Sequence, residues 1–326
     1  MAGMKAVVTG AAGHIGINLI RHLLDNNWEV VALLRKETPY VSALPIQVKY
    51  GDILDVDFLI EAFSGSDAVF HLAGVLPLQE NDTARMWRVN VEGTRTVVDA
   101  CRSHKQLKLV YCSTIHAFAD TQDEVLNELS PLVSDSRAPM YDRSKAAAQK
   151  IIMQAASEGM HAVVVCPTGV VGPSDHKPSS LGGVVRQLMS RRMGALVAGG
   201  SNWVDVRDVA RVMLRAVDVA ETGSVFIVGG HYRSVSQFAA AVCAVSQVPV
   251  PWFVCPLWLA RLTAPVYEGF ANLMGRTPVF TRESVRALHT HGNLSSDKMK
   301  TMLGITPRAF EETIADTVAW HRSQKG

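Results

Sequence analysis

The chain has 326 residues and a formal net charge of +2, with 48% hydrophobic and 19% charged residues. That length allows one large core with a smaller appendage, the composition excludes a disordered chain, and the near-neutral balance offers nucleic acid no basic surface. The five cysteines (Cys101, Cys112, Cys166, Cys243, Cys255) are odd in number and include no C-x-x-C pair. Neither a disulfide framework nor a zinc site is expected, and a reducing, cytoplasmic setting fits best.

In chain order, the first feature is Val7-Val8-Thr9-Gly10-Ala11-Ala12-Gly13-His14-Ile15-Gly16, an apolar run that enters a three-glycine turn too early to read as a signal peptide. It predicts a strand, a tight turn and a helix N-terminus. Glycines there let backbone N–H groups approach a pyrophosphate, and the first turn of the helix adds unpaired donors and a positive dipole end. The spacing G-x-x-G-x-x-G is one residue wider than the dinucleotide fingerprint, so the mechanism transfers although the letters do not. His14 reads as a loop residue with a donor to spare. Ile17, Ile20, Leu23 and Leu24 then repeat at helical spacing, and residues 28–34 form the near-continuous apolar run of a parallel strand covered on both faces.

An acidic residue about 20 positions beyond the glycines would bind a free ribose 2′-hydroxyl. Arg35 stands there instead, followed by Lys36. A guanidinium suits a 2′-phosphate, so NADP(H) is expected over NAD(H). Residues 46–50 predict a third strand ending in Gly51-Asp52-Ile53, where the Asp52 carboxylate could face an adenine amino group; 55–63 predict a helix. Residues 67–73 predict a fourth strand containing a packed His71, with Ala73-Gly74 small enough to let a ligand lie against the backbone. Residues 83–104 predict a single helix, and 107–113 a fifth strand ending at the hydroxyl pair Ser113-Thr114. Strand ends of open α/β sheets are where ligands gather. A polar loop over 119–139 reads as a surface loop or site rim.

Tyr141-Asp142-Arg143-Ser144-Lys145 opens an alanine-rich helical run. Residues i and i+4 share a helix face, so phenol and ammonium point into the same space. The cation is expected to lower the tyrosine pKa from its usual ~10, giving a general acid or base for a hydroxyl/carbonyl pair.

At this point the pattern resembles the extended branch of the short-chain dehydrogenase/reductase superfamily. The matching elements are TGAAGHIG at 9–16, GDILD at 51–55, FHLAG at 70–74, NVEGT at 90–94, YCST at 111–114, YDRSK at 141–145, CPTGVVGP at 166–173 and NWVDVRDVA at 202–210. Within that branch it looks most like the dihydroflavonol-4-reductase-like group, with its 3β-hydroxysteroid dehydrogenase and hopanoid-associated epimerase-like relatives. The resemblance implies an α/β, Rossmann-type doubly wound parallel sheet with a smaller C-terminal substrate-binding lid. It implies that Gly10, Gly13 and Gly16 line the pyrophosphate, with His14 and Ile15 in the same cofactor-binding turn, Arg35 the 2′-phosphate, and Asp52 with Ile53 the adenine. Leu72, Ala73, Gly74 and Asn90 fall in its cofactor-facing motifs, and Pro167 with Thr168 in the segment beside the nicotinamide. Tyr141 would be the proton donor or acceptor, and Lys145 would hold the nicotinamide ribose. The family's catalytic serine aligns with Thr114, with Ser113 kept as the alternative.

The dinucleotide-binding domain is expected over 1–173 and 200–247, where helices 206–217 and 234–246 flank a strand at 224–228 that extends the sheet. Segments 174–199 and 248–326 are left for the lid. Residues 248–274 are its most apolar part (Trp252, Phe253, Trp258, Leu259, Tyr267, Phe270, Met274), but Arg261, Glu268 and several prolines break them short of the ~18 uncharged residues of a spanning helix. They read as core and pocket packing, with peripheral membrane contact as the lesser alternative, and an apolar pocket predicts a partly hydrophobic substrate. The leading expectation is an NADP(H)-dependent oxidoreductase acting on a ketone/secondary alcohol or aldehyde of a small molecule, with a homodimer left open. A nucleotide-sugar epimerase or dehydratase is the second reading, disfavoured by the apolar lid and the lack of an obvious basic cluster for a diphosphate. An NADP-sensing binding protein is the third; Tyr141, Lys145 and the hydroxyl at 114 argue for catalysis instead.

Overall fold

The computed structural model describes residues 3–76, 82–120, 125–260, 262–263 and 293–324. Tyr267, Phe270 and Met274 lie outside the described residues. The first half alternates β1 (Lys5–Thr9), α1 (His14–Asp25), β2 (Glu29–Leu34), α2 (Pro39–Ser42), β3 (Gln47–Tyr50), α3 (Val56–Phe63), β4 (Ala68–His71), α4 (Thr83–Trp87), α5 (Gly93–Arg102), β5 (Lys108–Cys112), α6 (Met140–Ser157) and β6 (Ala162–Pro167). Then follow β7 (Gly169–Val171), α7 (Ser180–Met189), β8 (Ala195–Val197), β9 (Gly200–Asp205), α8 (Val206–Val219), β10 (Val225–Val228), β11 (His231–Ser234), α9 (Val235–Ser246) and β12 (Phe253–Cys255). Helices Asp297–Leu303 and Phe310–Ser323 close the described chain.

Seven strands form one parallel sheet in the order β3-β2-β1-β4-β5-β6-β10. Both faces are covered, which is why its central strands are apolar without alternation; every residue of β6 is buried. Ile17, Ile20 and Leu23 of α1, with Val209 and Met213 of α8, pack on one face. Leu59 and Phe63 of α3, Val97 and Val98 of α5, and Ile152 and Ala155 of α6 pack on the other. The chain runs outward from β1 in both directions, so a crevice opens at the carboxyl ends of β1 and β4.

The structure departs from the expected elements in four places. The single helix expected over 83–104 is interrupted by a π turn, Arg88–Glu92, whose extra residue per turn directs Asn90 inward. The helix at 235–246 does not flank the main sheet: Phe238, Ala239 and Val242 pack with Val185 and Leu188 of α7 and with Phe310, Ile314 and Val318 of the last helix, in a core of their own. Conversely, Met299 and Leu303, expected in the lid, join the main core beside α8. Finally, Trp252, Phe253 and Trp258 do not pack inward; they are exposed by 89%, 40% and 67%.

A candidate active site at the carboxyl ends of the strands

The glycine turn is shaped by contacts that exclude a Cβ. Gly10 adopts φ +68°, and a Cβ there would lie 2.6 Å from the Leu72 carbonyl carbon and Ala73 nitrogen. A Cβ on Gly16 would lie 2.4 Å from the Gly10 carbonyl oxygen. Gly13 is the N-cap of α1 and offers no side chain to the first-turn N–H groups, and no acidic residue stands in that turn. Those N–H groups, at the positive end of a twelve-residue helix, fit a dinucleotide diphosphate. Tyr40, which sequence reasoning missed, donates its hydroxyl to the Ala12 carbonyl at 2.7 Å and stacks on His176 at 4.2 Å, fixing the turn from the side of α2.

His14 is not a loop residue but the first residue of α1, and its Nε2 lies 3.0 Å from the Pro173 carbonyl oxygen. A carbonyl only accepts, so the Nε2 hydrogen is used there. Arg35 and Lys36 are exposed just beyond β2, at the same end of the sheet as the turn, and Arg35 has no ion-pair partner among the described residues. Asp52 is exposed and accepts from the Leu54 N–H at 3.1 Å, which holds its loop. Ile53 leans on Gly93, where a Cβ would meet its Cδ1 at 2.6 Å.

A buried hydrogen-bond chain ties the crevice together. Thr9 Oγ1 accepts from the Leu72 and Ala73 N–H groups at 3.2 and 3.1 Å and lies 2.8 Å from His71 Nδ1. His71 Nε2 meets Thr94 Oγ1 at 3.1 Å, and Thr94 donates to the Asn90 carbonyl at 2.7 Å. With its proton spent on Asn90, Thr94 accepts from Nε2–H, so Nδ1 accepts from Thr9 and His71 is a neutral imidazole in one tautomer. Burial and the Lys145 charge agree, pushing its pKa down to about 3. The Asn90 amide is used inside the protein: it accepts from the Val75 N–H at 2.7 Å and donates to the Val75 carbonyl and to Ser144 Oγ. Ser144 in turn donates to the Tyr141 carbonyl at 2.8 Å. Asn90 thereby braces the loop after β4, which includes Gly74, against the start of α6.

The two hydroxyls at the end of β5 separate cleanly. Successive extended residues point to opposite faces. Ser113 Oγ donates to Gln149 Oε1 at 2.7 Å in the core beneath α6, while Thr114 caps the short turn Ile115–Ala117, accepting from the His116 N–H at 3.3 Å. Lys145 is buried; its Nζ donates to the Cys112 carbonyl at 2.6 Å and lies 4.5 Å from the centre of the Tyr111 ring. Tyr141 is partly accessible. Burial pushes its phenol up to about 12, outweighing the downward pull of the Lys145 ammonium. The expected lowering is therefore reversed, and Tyr141 is a neutral phenol at neutral pH. Pro167 ends β6 opposite Val228, and the Thr168 hydroxyl is shared between Asn202 Oδ1 and the Val228 carbonyl at 3.3 and 3.2 Å.

A parallel sheet that reverses its order at a glycine turn, and a Tyr-x-x-x-Lys helix beside a strand-end hydroxyl, are the attributes of extended short-chain dehydrogenases/reductases, which use a nicotinamide cofactor. The chain belongs to the NAD-dependent epimerase/dehydratase family, whose model matches residues 6–229. It is 29% identical to sterol demethylase protein B of Methylococcus capsulatus, over 98% of this chain and 99% of the other. It is 30% identical to a putative dihydroflavonol 4-reductase of Synechocystis, over 97% and 94%. Among solved structures, gox2253 superposes with a TM-score of 0.85 at 28% identity over 98% of each chain. The UDP-glucose 4-epimerase of Thermotoga maritima shares the fold, with a TM-score of 0.81 at 19% identity over 99% of this chain and all of the other.

Proposed function

We propose that the protein is an NADP(H)-dependent oxidoreductase that interconverts a ketone or aldehyde and its alcohol on a partly hydrophobic small molecule. The observation that carries this reading is the neutral phenol of Tyr141, one helical turn from Lys145 on the helix that packs against the turn capped by Thr114, at the end of the sheet where the glycine turn opens. When bound, the nicotinamide supplies or accepts the hydride. Tyr141 gives its proton to the oxygen of the reduced carbonyl, Thr114 hydrogen-bonds the same oxygen, and Lys145, anchored on the Cys112 carbonyl, would hold the cofactor ribose while its charge stabilises the phenolate, which regains its proton from solvent. Ser113, engaged by Gln149, supports the strand end from below. Relatives of nearly full length support a reductase: the dihydroflavonol reductase above, and a farnesyl-dihydroquinoline-oxide ketoreductase of Stigmatella aurantiaca, 28% identical over 97% of this chain and 96% of the other.

This assignment separates the two hydroxyls. Thr114→Ala is expected to lower kcat by about 10²-fold, whereas Ser113→Ala lowers stability by about 1 kcal/mol and leaves kcat within a few-fold. Steady-state rates with NADPH against a panel of lipophilic ketones and aldehydes, alongside thermal melts, check both. A larger kcat loss at Ser113 would move the working hydroxyl by one residue.

The cofactor preference rests on Arg35. Charge-assisted hydrogen bonds contribute about 1.5–3 kcal/mol, so NADPH should bind at least about tenfold more tightly than NADH, and Arg35→Ala should erase most of the difference. Fluorescence titration of both cofactors decides it; equal affinities in the wild type would remove the assignment.

The second reading, a nucleotide-sugar epimerase or dehydratase, gains one observation. Arg186 on α7 and Arg191 and Arg192 just after it are exposed, a basic group where none was expected. A nucleoside diphosphate that competes with the ketone for the enzyme would favour that reading.

A further inference from the structure

We propose that the protein docks on the surface of an anionic lipid bilayer through the exposed aromatic run around β12 and the basic turn that precedes β8. Among the described residues, six of the fifteen exposed large apolar side chains fall in this one short segment: Trp252, Trp258 and Leu262 are exposed by 89%, 67% and 69%, with Val250, Phe253 and Val254 partly so. Singly exposed apolar residues are ordinary, but a group of this size on a short segment marks an interaction surface.

Charge selects the occupant. Segments 176–204 and 222–260 contain no Asp or Glu, while they carry Lys177, Arg186, Arg191, Arg192 and Arg233. The last helix, packed against α7 and α9, adds Glu311, Glu312 and Asp316, and these are engaged by Arg233, Arg308 and Arg207. Arg186, Arg191 and Arg192 have no ion-pair partner among the described residues. Strands β8 and β12 pair in parallel with Ala195 opposite Phe253, so the turn bearing Arg191 and Arg192 and the run 250–252 enter this two-stranded sheet at the same end. Arg191 holds φ +56° there, a left-handed backbone for which glycine or asparagine is the easy residue, so the guanidinium is kept at a conformational cost.

Tryptophan rings settle at the headgroup level, and arginines beside them meet anionic lipid. No helix among the described residues is long and apolar enough to cross a membrane. The inference does not depend on which reaction the protein catalyses.

Flotation of the full chain with vesicles of phosphatidylcholine and phosphatidylglycerol (about 7:3), against phosphatidylcholine alone, tests it. Binding is expected only with the anionic vesicles and should fall with added salt. Each basic residue near the surface contributes about fivefold, so Arg191→Gln/Arg192→Gln should lose about 25-fold. Trp252→Ser/Trp258→Ser should lose at least about tenfold, with the blue shift of tryptophan fluorescence removed. NADPH affinity and melting temperature of these variants should stay unchanged, which separates lost docking from lost folding. Equal binding to neutral vesicles, absence of vesicle binding, or insensitivity to both double substitutions would overturn the proposal. So would a wild-type dimer that Trp252→Ser/Trp258→Ser makes monomeric, or UDP binding that vanishes in Arg191→Gln/Arg192→Gln without any vesicle binding.

Discussion

Tyr141→Phe is expected to lower kcat for carbonyl reduction by about 10²–10⁴-fold while leaving NADPH affinity within about twofold of wild type, the size of a lost general acid. The substitution removes one oxygen and keeps the ring that packs at the start of α6. Because burial holds the phenol up to about 12, the group is protonated throughout the neutral range. Wild-type reduction should therefore show no loss attributable to this group between about pH 6 and 9. Lys145→Ala should lower both rate and NADPH affinity, since its ammonium is proposed to serve phenol and ribose together. A Tyr141→Phe enzyme that reduces its ketone at near wild-type rate would remove the phenol from the mechanism.

The second large effect concerns the joint between β9 and the last helix. Asp205 at the end of β9 is completely buried as a side chain and accepts from the Arg207 guanidinium at 2.6 and 2.9 Å, from the Arg207 N–H at 2.8 Å and from Thr313 Oγ1 of the last helix at 2.8 Å. Arg207 also reaches Asp316 at 2.6 Å. Burial alone would raise the Asp205 pKa, but the hydrogen bonds and charge of Arg207 more than offset it, so the carboxyl titrates below its ordinary 3.8. A folded-state pKa below the unfolded one contributes stability that is fully present above the unfolded value and is lost as pH falls through the folded one. The contribution is thus intact at neutral pH and disappears only below about pH 4. Asp205→Asn leaves a part-buried guanidinium facing an amide and should cost about 3–5 kcal/mol. That is a fall on the order of 10 °C in melting temperature at pH 7, shrinking toward zero in acid. A fall of under about 2 °C would mean that the network does not hold the last helix in place.

Much of this arrangement was legible because its signals are local. The near-continuous apolar run at 28–34 reads as a strand covered on both faces, and Gly10, Gly13 and Gly16 mark a turn whose tolerance for Cβ is nil at two of them. Tyr141 and Lys145 share a face by helical geometry alone. What escaped depends on contacts between distant segments. The pKa of Tyr141 is set by burial against the opposing pull of Lys145, and periodicity gives no depth. Ser113 and Thr114 are equivalent as letters until Gln149, 36 residues away, takes one of them. Asn90 reads as a cofactor neighbour in its motif, yet the π turn commits its amide to Val75 and Ser144. The apolar letters of 250–262 look like core material, and only the structure shows that their rings face outward. Helices α9 and Asp297–Leu303 pack into cores other than those expected for the same reason: their stripes say that a face is buried, not against what.

The most direct test of the proposed chemistry follows a labelled hydride. NADPH carrying deuterium at the transferring position would be mixed with enzyme and a lipophilic ketone, and the products analysed by mass. The proposal predicts an alcohol with one deuterium on the carbinol carbon, one NADP+ released per alcohol formed, and neither product with Tyr141→Phe. Turnover of a hydroxylated substrate to its epimer with no net consumption of NADPH would contradict it.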